Sequence, residues 1–181
     1  MIPSWKEIFK TSLFLVIFTI LIGAQTSLWP QIFGVIPSPL LWLTMVVYVA
    51  IHRPPFHGIF FCYFLGYLML SFTAAPLKMI WTPILVCYVT VFLIRDRFFW
   101  QGSGYLALMT LFASSLYHLT YYILSHMVEE NTTTILFFDR FTQIILTPIF
   151  AFPLYVLYRR IDRIGAEDIY RPETQSGGHE V

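Results

Sequence analysis

Charge is scarce in this chain. Asp, Glu, Lys and Arg together make up 12% of its 181 residues, where a soluble domain carries roughly 25%. So few charges cannot cover a water-facing surface of ordinary size, which removes most soluble enzyme classes. Net charge is +1, which excludes a basic field for nucleic acid. Cysteine is almost absent: Cys62 and Cys87 stand alone inside apolar runs, with no CxxC, no Cys/His metal spacing and no disulfide framework. Both read as small buried apolar residues. Catalytic signatures are missing as well. The chain has no GxSxG, no HExxH, no Gly-rich phosphate loop and no paired-carboxylate motif.

What the chain has is apolar length. Hydrophobic residues make up 57% of it, and the mean hydropathy is +0.70. A bilayer core of roughly 30 Å takes about 20 apolar helical residues. The apolar runs predict six spans, near 11–28, 35–51, 56–73, 78–94, 104–127 and 135–158, in one domain over 1–164. The fold class expected is therefore an all-α integral membrane protein, a compact bundle. The polar stretch 165–181 cannot bury enough apolar surface to offset its ordering entropy and is expected to be a disordered cytoplasmic tail.

Orientation follows from the basic residues. With the N-terminus inside, Lys6, Lys10, Arg53, Arg95, Arg97, Arg159, Arg160, Arg163 and Arg171 face one side, and Lys78 and Arg140 the other. That asymmetry sets topology by the positive-inside rule and puts both termini in the cytoplasm. The same clusters lie where anionic lipid headgroups would meet them. Ala24-Gln25-Thr26-Ser27-Leu28-Trp29 offers no small-x-small cleavage site, so the first run reads as a retained span and not a cleaved signal. Trp29-Pro30 is expected to end it, with the indole at headgroup depth. Pro37 and Pro39 fall in the first turns predicted for span two, and His52-Arg53-Pro54-Pro55 closes that span. Pro83 would kink span four or mark its first turn, and Pro148 and Pro153 lie within span six. Asn131-Thr132-Thr133 fits a glycosylation sequon, a pattern common by chance.

Polar groups inside spans are the places to seek chemistry, because lipid penalises them. His118 and His126 are eight residues apart on one face of span five. They read either as a proton relay or metal pair, or as one buried hydrogen-bonded ring and one interfacial ring. The second reading is favoured, since no carboxylate or third ligand stands at helical spacing. Ser114-Ser115 before His118 lacks an acidic orienter for nucleophilic chemistry. Asp139, Arg140 and Lys78 fall at the outer interface as a solvated helix end or a weak acid-binding pair. No catalytic, cofactor-binding or metal-binding residue is expected. Gly58, Gly66, Ser71, Ala74 and Ala75 are small enough to admit another helix. The aromatic share of 19% suits interfacial belts or a docking surface.

The order of these features resembles the bacterial rod-shape-determining MreD family, from about Thr11 to Arg163. The resemblance rests on the Gln25-Thr26-Ser27-Leu28-Trp29-Pro30 end of span one and on Pro39-Leu40-Leu41-Trp42 leading to His52-Arg53-Pro54-Pro55. It rests further on the glycines of span three, and on Gln143, Pro148, Pro153-Leu154 and Arg159-Arg160 in the last span, with Gln143 where the family has Asn. The chain departs from the family after the span-three glycine. Leu70, Ala74 and Leu77-Lys78 stand where an Asp and glycines are usual.

The resemblance implies a fold similar to the S components of energy-coupling-factor transporters. It also implies a non-enzymatic scaffold of the cell-wall elongation machinery in the bacterial inner membrane, maintaining rod shape. An MreC-like protein would be the direct partner, with the MreB filament, a RodA-type glycosyltransferase and a transpeptidase behind it. Candidate contacts for the partner helix are Gly58, Gly66, Ala74, Gln143 and Pro148. Two rivals stand beside it. One is a small-molecule-binding membrane subunit of an energy-coupling-factor-type transporter, its pocket formed by the uncharged Pro30–Pro39 loop and nearby aromatics. The other is a membrane enzyme using His118 and His126.

Overall fold

The computed structural model describes residues 5–73, 75–97, 102–128 and 137–163. Among the described residues all regular structure is helical. Helix α1 (Trp5–Gly23) runs through a π-helical turn (Ala24–Leu28) into α2 (Trp29–Phe33). There follow α3 (Leu41–His52), α4 (Pro55–Leu70) and α5 (Leu77–Ile94), the last closed by a 3-10 turn, Arg95–Arg97. Helices α6 (Ser103–Val128) and α7 (Phe137–Arg163) complete the bundle and pack along each other.

Four helical stretches have the length and composition to cross a membrane: Phe9–Phe33, Leu77–Arg97, Ser103–Met127 and Phe137–Arg163. The chain is a membrane protein of helical type. Its outer surface is apolar, with Val16, Ile20, Phe60, Phe141, Ile149 and Val156 all exposed. The other two apolar helices are shorter, α3 at 12 residues and α4 at 16. At 1.5 Å per residue these are about 18 Å and 24 Å long. Of the six spans that the sequence suggests, four have helices long enough to cross a membrane alone, and the second and third correspond to these shorter helices.

Helix α3 explains its own shortness. It packs against α1, α4, α5, α6 and α7, and every residue from Leu41 to Ala50 is buried. A helix apolar on all sides belongs inside a bundle. Because α3 is enclosed by protein, its length need not match the lipid. Its entry also differs from expectation. The helix begins at Leu41, not near Val35, and Pro37 and Pro39 lie in the non-helical segment before it. Each proline disfavours helical geometry in the residue before it, and neither has an N–H to donate.

The first span is longer than its sequence suggests. Trp29-Pro30 does not end it: the helix continues through the π-helical turn, and Pro30, which has no N–H to donate, lies in the first turn beyond it. The helix stops at Gly34, whose φ of 51° is a left-handed conformation that a glycine adopts without steric cost. Pro83 sits inside α5, and Pro148 and Pro153 inside α7, without ending either helix.

Candidate functional site

Polar side chains in this bundle gather at the two ends of α3. The amides that begin a helix lack helical partners, and water cannot serve them inside a bilayer. Here side chains from the first and last spans do so. Leu40 N donates to Thr147 Oγ1 at 3.0 Å, and Leu41 N donates to Gln25 Oε1 at 3.2 Å. Gln25 comes from the π-helical turn. Gln143 Nε2 donates to Ser38 O at 3.0 Å, fixing the segment just ahead of the helix. Thr147 is fully buried, and its hydroxyl donates back to Gln143 O at 2.6 Å. Three side chains from two spans thus form a collar around the start of α3.

The opposite end of α3 is locked by charge. Asp162, near the end of α7, accepts from Arg53 Nη2 at 2.6 Å and from Tyr48 OH at 2.5 Å. Its backbone oxygen accepts from Lys10 Nζ at 3.2 Å. Arg95 Nη1 donates to Ala50 O and Arg53 O, each at 3.1 Å, and so serves the last carbonyls of α3. The Arg53 guanidinium lies 5.4 Å from the centre of the Phe14 ring, and Arg95 lies 4.1 Å from that of Phe92. Between the two ends, Thr44 Oγ1 and Tyr158 OH share a buried hydrogen bond of 2.8 Å. These contacts bring Lys10, Arg53 and Arg95 to one end of the bundle. They pin α1, α3, α5 and α7 to one another there.

The expected partner-helix contacts are dispersed. Gly58 and Gly66 both face α5: a Cβ on Gly58 would overlap Tyr88, and one on Gly66 would overlap Trp81. The close approach they permit is made to a helix of the same chain. Ala74 lies outside the described residues. Gln143 belongs to the collar, and Pro148 sits one residue on from Thr147, leaving the Ile144 carbonyl without its usual helical donor. His118 and His126 lie about 12 Å apart along the axis of α6 and have different surroundings. His126 Nδ1 is 3.1 Å from Tyr122 O on an exposed face, whereas His118 Nε2 is buried without a partner. Ser114 is also buried, its hydroxyl without a partner. Among the described residues no group of three His, Cys, Asp or Glu is placed to hold a metal ion.

Sequence reasoning missed Asp162, Tyr48 and Thr147. A single acid inside Arg159-Arg160-Ile161-Asp162-Arg163 was the available signal for the first. The second and third carry none, since Tyr and Thr are ordinary residues of a span. The Pro30–Pro39 loop, expected to form a pocket, is held by an internal contact. Trp29 Nε1 donates to Ile36 O at 2.9 Å and folds that loop onto itself. A cavity of about 200 Å³ lies among α4, α5, α6 and α7, lined by Tyr117, His118, Tyr121 and Arg140 with Met69 and Met79.

No family model, no curated protein and no solved structure matches this chain.

Proposed function

We propose that this chain is a non-enzymatic scaffold of the bacterial cell-wall elongation machinery, an MreD-like protein of the inner membrane. In this reading all six apolar helices cross the bilayer and both termini lie in the cytoplasm. The bundle binds the membrane helix of an MreC-like partner. Through it the chain connects to the MreB filament, a RodA-type glycosyltransferase and a transpeptidase. One observation carries the reading. Gln25, the Pro39-led entry to α3 and Gln143, which bear the resemblance at widely separated places in the sequence, meet at the start of α3. Features that form one structural unit support the likeness better than the same features scattered.

Because Gly58 and Gly66 face α5, the partner would dock elsewhere. The outward side of α4 exposes Phe56, Phe60, Tyr63 and Tyr67, a stripe of rigid aromatic area on a peripheral helix. A photo-crosslinking residue placed at Phe60 or Tyr67 in growing rod-shaped cells tests this. Adducts with an MreC-like or other cell-wall protein are the expected result. Adducts confined to lipid, in cells that keep their rod shape after deletion of the gene, would remove the proposal.

A transport subunit is the second reading, favoured by the half-open cavity beside His118 and Arg140. Co-purification with an ATPase and a coupling subunit, in place of cell-wall proteins, would select it.

A further inference from the structure

The cavity among α4, α5, α6 and α7 has features that ordinary packing does not explain. Its volume of about 200 Å³ is roughly the liquid share of seven waters. It lies at the end of the bundle away from the Asp162 lock, beside the first turns of α5 and α7. Its wall is mixed. Met69, Met79 and Ile80 supply apolar surface, and the Tyr117 and Tyr121 rings stack with centroids 6.4 Å apart. Tyr117 is itself held by Trp42 of the buried helix, ring centroids 5.2 Å apart. One side of the cavity is therefore rigid.

One charged group in this wall has donors to spare. Arg140 is the one cation of the lining. Its side chain makes a single hydrogen bond, Nη1 to Gln143 Oε1 at 3.2 Å, which leaves most of a five-donor fork unused. A guanidinium edge is matched by a carboxylate or phosphate.

We propose that this cavity binds a small amphipathic anion. Its carboxylate or phosphate meets Arg140, and its apolar body lies against Tyr117, Tyr121 and Met79. A free aromatic acid and the headgroup end of a neighbouring phospholipid share this chemistry. The proposal is independent of whether the chain serves as a scaffold or as a transport subunit.

Thermal unfolding of the full chain in neutral detergent micelles tests it, with 4-hydroxybenzoate and dihexanoyl phosphatidylglycerol as the probes. A ligand that binds the folded state raises the melting temperature in a saturable way. Saturable stabilisation by 4-hydroxybenzoate supports the site and points to a free acid, and stabilisation by the phospholipid alone supports it and points to the bilayer. Arg140→Gln is expected to raise the dissociation constant at least about tenfold, as loss of a charge-assisted contact would, and Arg140→Lys to raise it less. Arg140 is exposed with one hydrogen bond, so its variants fold, and the melting temperature without probe verifies that. No saturable stabilisation by either probe overturns the proposal, as does equal affinity in wild type and Arg140→Gln.

Discussion

Replacing Asp162 with Asn keeps the shape of the side chain and removes its charge at the point where three segments converge. The carboxylate accepts from Arg53 at 2.6 Å and from Tyr48 at 2.5 Å. The two bonds are not worth the same. The side chains of Arg53 and Asp162 are 31% and 28% exposed, so solvent screens that pair, and its share falls toward the ~1 kcal/mol or less of a surface ion pair. Tyr48 is 1% exposed; a hydrogen bond from it to a charged acceptor is worth about 1.5–3 kcal/mol. Asp162→Asn still accepts one bond, so the expected destabilisation is about 1–3 kcal/mol, most of it from Tyr48. Reversible unfolding in mixed micelles measures it, combined with Tyr48→Phe and Arg53→Gln in double-mutant cycles. The coupling of Asp162 to Tyr48 should exceed its coupling to Arg53. A loss below about 0.3 kcal/mol, inside the error of such cycles, or the reverse ordering of couplings, would refute the argument.

Gly66→Ala is expected to cost about 1–3 kcal/mol by overpacking, because its new methyl would overlap the indole of Trp81, which is wedged against Tyr63 with ring centroids 4.0 Å apart. Gly58→Ala should cost at least as much in the same unfolding assay, since its methyl would overlap the hydroxyl and ring of Tyr88, which is buried and donates to Pro55 O. Thr147→Val removes the acceptor of the Leu40 amide without changing side-chain shape. The loss expected is about 0.6–2 kcal/mol, in the range of interhelical hydrogen bonds in membranes, with faster hydrogen exchange at Leu40 as its local signature. Gln25→Leu should cost less, because the Leu41 amide also donates to Pro39 O at 2.9 Å.

Much of the helical layout was legible because a bilayer imposes length and apolarity on what crosses it. Helices α5 and α6 begin and end within one residue of the predicted spans. The errors came where protein, not lipid, surrounds the chain. Helix α3 is shorter than its apolar run, since Pro37 and Pro39 stay outside it and its enclosure removes the need to span lipid alone. Composition cannot separate a lipid-facing run from an enclosed one. The glycines of α4 were legible as points of close approach, but which helix approaches is a tertiary fact that spacing does not carry. Gln25 and Gln143 were visible only as carriers of the resemblance, and their shared target, the start of α3, required the fold. Asp162 was masked by the arginines around it.

The account depends on α3, short as it is, carrying the chain from one face of the membrane to the other. Its two flanks give the most direct measurement. Val35 is 96% exposed ahead of α3, and His57 is exposed just beyond it. With Cys62 and Cys87 replaced by alanine, single cysteines at Val35 and His57 can be labelled in intact cells with a membrane-impermeant maleimide. The account predicts that Val35→Cys is labelled from outside and that His57→Cys reacts only once the membrane is opened. Labelling of both from the same side would contradict it.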